Sequence, residues 1–114
     1  EGGQALLEVE LLAYITKLSE NDPYLTELDL GHNQLGDSTE MTGALVTALR
    51  ANFSLTRLNL SYNKIGDAFA ADLAGALRVN STLTTLSLVG NEITHRGENN
   101  LRNAWGARDG FLSA

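Results

Sequence analysis

There is no cysteine among the 114 residues of this sequence. That excludes a disulfide framework, a thiolate metal site and a cysteine nucleophile, and it suits a reducing compartment, the cytosol by default. Long apolar runs are also missing: none approaches the roughly 18 residues that a membrane span needs, although a hydrophobic fraction of 43% is enough to build a core. Positive charge is scarce. Eight Lys and Arg stand against fourteen Asp and Glu, a formal charge of −6, which repels nucleic acid and anionic membrane, and no run of basic residues in the sequence overrides it. Nothing at the start resembles a signal peptide, because Glu1, Glu8 and Glu10 stand where positive charge belongs. The chain begins at Glu1 rather than Met and is expected to be a piece of a longer protein.

Catalytic and metal motifs are absent as well. No GxSxG, HExxH or GxxxxGK[ST] string occurs. Neither histidine, His32 or His95, has a second histidine or a carboxylate at ligand spacing. The nearest acid pair, Asp37 with Glu40, lies in a loop with no apolar pocket to raise a proton affinity. No enzyme activity, cofactor, metal or small-molecule substrate is therefore expected.

What is present is a repeat. LTELDLGHNQLG runs from Leu25 to Gly36, LTRLNLSYNKIG from Leu55 to Gly66 and LTTLSLVGNEIT from Leu83 to Thr94. The copies are offset by 30 and 28 residues, and Asn33, Asn63 and Asn91 keep the same two intervals. Such a period signals a solenoid. Within each copy polar and apolar residues alternate, so Leu28 and Leu30 point inward from a strand while Glu27 and Asp29 point out. Asn33, Asn63 and Asn91 sit where a short inward amide can bond the backbone of adjacent turns, forming a ladder.

Helices follow the strands. Leu7, Leu11, Tyr14, Ile15 and Leu18 mark one face of a helix from Gln4 to about Glu20, and Leu6, Val9 and Leu12 widen it, as if two sides were covered. Asn21, Asp22 and Pro23 end that helix. Further helices are expected at about Met41 to Arg50, Ala68 to Val79 and Arg96 to Ala107, with Asp37, Ser38 or Thr39 capping the first of these. Leu18, Leu49, Leu77 and Trp105 share one repeat position, which gives Trp105 the role of covering the end of the stack. The first unit carries two extra residues around Asp37 to Thr42, and such insertions are expected to protrude. Asn52, Asn59 and Asn80 begin glycosylation strings, but Asn59 lies in a strand and the other two close helices, so all three read as repeat grammar.

The pattern LxxLxLxxNxI/L, followed by Gly and a helix ending in ALRxN, resembles the leucine-rich repeat, and its 28-residue form is similar to the ribonuclease-inhibitor-like subclass. It is also similar to NOD-like receptor repeats and, more distantly, to tropomodulin. The resemblance implies an α/β solenoid, with about three parallel strands on a concave face and helices on the convex face, in an intracellular protein. The units would be a helix of a preceding unit at 1–24, repeats at 25–54 and 55–82, and a terminal repeat and cap at 83–114, in one domain. Carried onto this chain, the geometry turns Asp29, His32, Arg57, Asn59, Tyr62 and Ser87 toward the concave surface, with Tyr62 as the principal contact. Asp29 and Arg57 are also expected to pair across neighbouring strands.

The function that follows is non-catalytic binding of a protein partner through the concave strands or the first loop. One alternative is assembly or cytoskeletal structure, such as a tropomodulin-like actin-binding domain, for which an exposed apolar first helix is the discriminating feature. Another is regulation of a GTPase, which would call on Arg57.

Overall fold

The computed structural model describes residues 5–114. In chain order the elements are α1 (Glu8–Ser19), β1 (Glu27–Asp29), α2 (Thr39–Ala51), β2 (Arg57–Asn59), α3 (Asp67–Val79), β3 (Thr85–Ser87), α4 (His95–Trp105) and β4 (Phe111–Ser113), with a short 3-10 turn at Leu35–Asp37. The strands form one sheet in the order β1-β2-β3-β4. Every pairing is parallel, with Leu28, Leu58, Leu86 and Leu112 in register.

The sheet therefore has four strands rather than about three. Phe111–Ser113 lacks the repeat's alternating leucines, yet Phe111 N–H donates to the Thr84 carbonyl at 2.8 Å and Leu88 N–H donates to Ser113. Gly110, at φ 121°, permits that approach: a Cβ there would overlap the Thr84 carbonyl. The backbone of β3 recruits β4 without help from the consensus.

Between sheet and helices lies a continuous leucine core. Leu30, Leu60 and Leu88 form one fully buried column, and Leu18, Leu49, Leu77 and Trp105 form another. Burying each such side chain contributes about 2 kcal/mol. Trp105 is 8% exposed, and the Arg108 guanidinium lies 4.8 Å from its ring centre. On α1 the buried residues are Leu11, Ile15 and Leu18, while Val9 and Leu12 are exposed. Leu7 is not on the inner face as its spacing suggested, being 65% exposed. It precedes the helix in extended backbone, so helical periodicity does not reach it. Gln4, where the sequence started this helix, lies outside the described residues.

Helix ends follow local chemistry. Glu10 accepts the Leu7 N–H at 2.7 Å, and Ser38 caps α2 by accepting the Met41 N–H at 3.1 Å. The helices carry acids in their first turns (Glu8, Glu40, Asp67, Glu98) and a base in their last (Lys17, Arg50, Arg78, Arg102), matching the helix dipole.

The loop that carries the two extra residues of the first unit is anchored at its start: Asp37, Thr39 and Glu40 are exposed, but the turn before them contacts the second unit. Gly36 N–H donates to the Asn63 carbonyl at 2.7 Å, and the Asp37 carboxylate lies 3.5 Å from Lys64 Nζ. A Cβ on Gly36 would overlap the Lys64 carbonyl. The 3-10 turn Leu35–Asp37, which leads into the insertion, is thus fastened to the next unit.

Candidate functional site

Two asparagine ladders hold the loops that flank the strands. In the first, Asn63 Oδ1 accepts from the backbone of Asn33 (2.8 Å) and Leu35 (3.2 Å), and its Nδ2 donates to Leu30 and Leu60 carbonyls. Asn91 repeats the pattern on Asn63, Ile65, Leu60 and Leu88. Asn33 Oδ1 accepts from Leu6 N–H at 2.6 Å, the same bond one unit earlier. In the second ladder Asn52 Nδ2 donates to Leu18 O at 3.1 Å and Asn80 Nδ2 to Leu49 O at 2.8 Å. Asn52 and Asn80 are 1% and 4% exposed, so these amides serve the fold.

The second ladder continues through a residue the sequence reading missed. Arg108 stands at the position of Asn52 and Asn80, and its guanidinium donates to Leu77 O at 2.6 Å and Leu83 O at 3.1 Å. Burial lowers the pKa of this group, but arginine stays charged at any physiological pH. The 28-residue interval from Asn52 to Asn80 to Arg108 was the available signal.

Held by these ladders, the strands present a shallow groove of about 420 Å³, lined by Glu27, Asp29, Arg57, Asn59, Thr85 and Ser87 over Leu28 and Leu58. Four of the six sequence-derived residues, Asp29, Arg57, Asn59 and Ser87, come together here. Asp29 and Arg57 do not pair. The register sets Glu27 opposite Arg57 and Asp29 opposite Asn59, so Arg57 Nε lies 4.0 Å from Glu27. Asp29 Oδ1 accepts from Asn59 Nδ2 and from Gly31 N–H, each at 2.9 Å. The polar row continues from Asn59 to the Ser61 hydroxyl, which lies 3.2 Å from that of Ser87.

His32 and Tyr62 sit beyond the strand ends rather than in the groove. Both have left-handed backbone, at φ 61° and 56°, and their rings stack with centres 4.7 Å apart and planes at 9°. Gly90 occupies the same position in the next unit, at φ 79°, and a Cβ there would overlap the Tyr62 ring. The missing side chain gives the ring its place, and Tyr62 remains 53% exposed.

A further cross-unit contact secures the opposite end of the loops. Thr94 donates its hydroxyl and its N–H to the Asp67 carboxylate. The hydroxyl bond first and the N–H bond next hold that carboxyl below its ordinary pKa against the opposing effect of burial, with a lesser contribution from Arg96. Among the described residues no His, Asp or Glu cluster is arranged to hold a metal ion, and no helix is long and apolar enough to cross a membrane.

The leucine-rich repeat family model matches residues 21–38, 51–68 and 79–97. No curated protein sequence matches the chain. Among solved structures it is similar to the tropomodulin C-terminal domain of Caenorhabditis elegans, at 21% identity over 83% of this chain and 56% of that one, with a TM-score of 0.74. It is similar also to a structure of leiomodin-1 actin-binding site 2, at 24% identity over 96% of this chain and 62% of that one, with a TM-score of 0.79. The chain thus spans less than two thirds of either, and the likeness is one of fold. Three matched repeats, laid side by side on one parallel sheet and joined by repeating asparagine bonds, give this chain a leucine-rich repeat fold.

Proposed function

We propose that the chain is a non-catalytic module that binds a protein partner across the concave sheet, in a cytoplasmic setting. The observation that carries this reading is the groove over β1 to β3, where Asp29, Arg57, Asn59 and Ser87 converge on a rigid, fully hydrogen-bonded frame. Tyr62 and His32 extend the surface at the strand ends as a stacked, partly exposed aromatic pair. Binding works by complementarity: the frame is fixed before contact, so little ordering entropy is lost when a partner docks. The first loop is a weaker contact site, because it is bound to the second unit by Gly36 and Asp37.

The test is a pull-down from cytosolic extract with the wild type beside a Tyr62→Ala, Arg57→Ala double variant, with circular dichroism confirming that both fold. A partner retained by the wild type and lost by the variant supports the concave surface. Equal retention by both moves the binding site elsewhere.

A second reading is favoured by one observation, the fold likeness to a tropomodulin domain and to leiomodin-1 actin-binding site 2. In that reading the partner is actin. Co-sedimentation with filaments and a polymerisation assay decide it, and an absence of effect at tens of micromolar protein removes actin from consideration.

A further inference from the structure

All four helices point the same way, so their basic last turns gather on the edge of the solenoid where helices finish and strands begin. A sequence with no basic run acquires a basic edge by folding. On that edge Arg50 and Arg78 are exposed, and among the described residues neither is in an ion pair. Arg50 leans from α2 onto α3: its Nη2 lies 2.9 Å from where a Cβ on Gly75 would stand. Gly75 and Arg78 are one helical turn apart, with Cβ positions about 5–6 Å apart, so the Arg50 guanidinium lies beside the turn that carries Arg78, on an otherwise acidic chain.

The same edge exposes apolar side chains. Tyr24 is 92%, Phe53 69% and Val79 56% exposed. Hydrogen bonds between units tie together the loops that carry them. Phe53 N–H donates to Asn21 Oδ1 at 2.7 Å and the Ser54 hydroxyl to Leu25 O at 3.4 Å, tying Phe53 to the Tyr24 loop. Asn80 Nδ2 donates to Asn52 O at 3.1 Å, which ties the residue after Val79 to the residue before Phe53. Nothing in the fold requires these residues: the third unit places Ser81 where the second has Phe53.

We propose that this edge is a second docking surface, separate from the concave sheet, for an acidic amphipathic helix of a partner protein. Two carboxylates one turn apart on that helix meet Arg50 and Arg78, and the apolar residues between them lie on Phe53 and Val79. Arginine suits this role because its planar fork takes a carboxylate through two parallel bonds. The exposed apolar side chains select a polypeptide over nucleic acid, whose backbone would leave Phe53 and Val79 uncovered.

Fluorescence anisotropy with an 18-residue labelled helical peptide, carrying Glu at i and i+4 flanked by Leu, tests the proposal on the intact chain. The expected result is saturable binding that weakens at least tenfold when Gln replaces Glu, and equally with Arg50→Glu, Arg78→Glu. Phe53→Ser, which copies the next unit, should weaken it at least threefold while the melting temperature stays within a few degrees. Equal affinity for the Glu and Gln peptides overturns the proposal, as does tighter binding of a labelled 20-nucleotide single-stranded DNA. Sedimentation that shows the wild type self-associating, and the double arginine variant monomeric, overturns it in favour of a second copy.

Discussion

Arg108 reaches across 31 residues of sequence to the carbonyl of Leu77, donating at 2.6 Å, where asparagines make the equivalent bond in the two preceding units. The position demands a donor for a carbonyl at the end of the previous helix, and the longer guanidinium also covers Trp105 with its positive charge. Asparagine does not meet that second need at the last helix.

Arg108→Ala should therefore destabilise the chain by about 2 kcal/mol, the cost of leaving part-buried carbonyls without a charged donor. Urea unfolding followed by tryptophan fluorescence measures it directly, since Trp105 is the probe and the partner at once. A change below about 0.5 kcal/mol would reduce Arg108 to an ordinary surface residue.

Gly36 and Gly66 share a repeat position but not a fate. Gly36→Ala should cost about 3 kcal/mol, because the added carbon overlaps the Lys64 backbone and the turn must move. Gly66→Ala should stay within about 1 kcal/mol of wild type, with nothing within 4 Å of its Cβ position. The third unit already carries Thr94 there. Thermal melts of the two variants side by side would contradict this if they coincided.

The carboxyl of Asp67 gives the acid limb of stability a defined sign. Its folded pKa is lowered, first by the Thr94 hydroxyl and then by the Thr94 N–H, so the folded state holds the charged form more tightly than the unfolded state does. The stabilisation is present above the unfolded value, about 3.9 for an aspartate, and is lost as pH falls through the folded value. An Asp67→Asn variant should melt lower than wild type at pH 7, and the gap between the two should begin to close below about pH 4 and narrow further as pH falls. A gap that stays constant from pH 7 down through the acid range would mean the difference is not one of charge.

Gly90→Ala should disturb the aromatic pair rather than the core. The side chain is strained by about 1–2 kcal/mol at positive φ, and it displaces the Tyr62 ring from His32. The readout is the ring-current shift of the His32 ring protons in an NMR spectrum, expected to collapse toward its free value. Unaltered shifts would show that the ring has room to spare.

Much of this architecture is written in the repeat. Leu28, Leu58 and Leu86 declare their inward direction by alternation, and Asn33, Asn63 and Asn91 declare a ladder by holding register through units of unequal length. The fourth strand was illegible because Phe111 to Ser113 is specified by the exposed backbone of β3 and by Gly110, neither of which leaves a consensus. The pairing of Asp29 with Asn59 was missed for a related reason: parallel register is fixed by backbone bonds at equivalent repeat positions, so Arg57 had to face Glu27. The insertion was found by counting, but counting does not show that Gly36 N–H has an acceptor in the next unit. The basic edge escaped notice because Arg50 and Arg78 lie far apart in sequence and come to one edge only once α2 and α3 lie side by side.

The asparagine ladder has a direction in time. Asn91 completes backbone groups of the unit before it, those of Asn63, Ile65 and Leu60, and Asn63 does the same for Asn33, Leu35 and Leu30. Each unit is thus finished by the one synthesised after it. On a ribosome the growing chain would close one repeat behind its own emergence, and removing units from the carboxyl end strips bonds that removal from the amino end leaves in place.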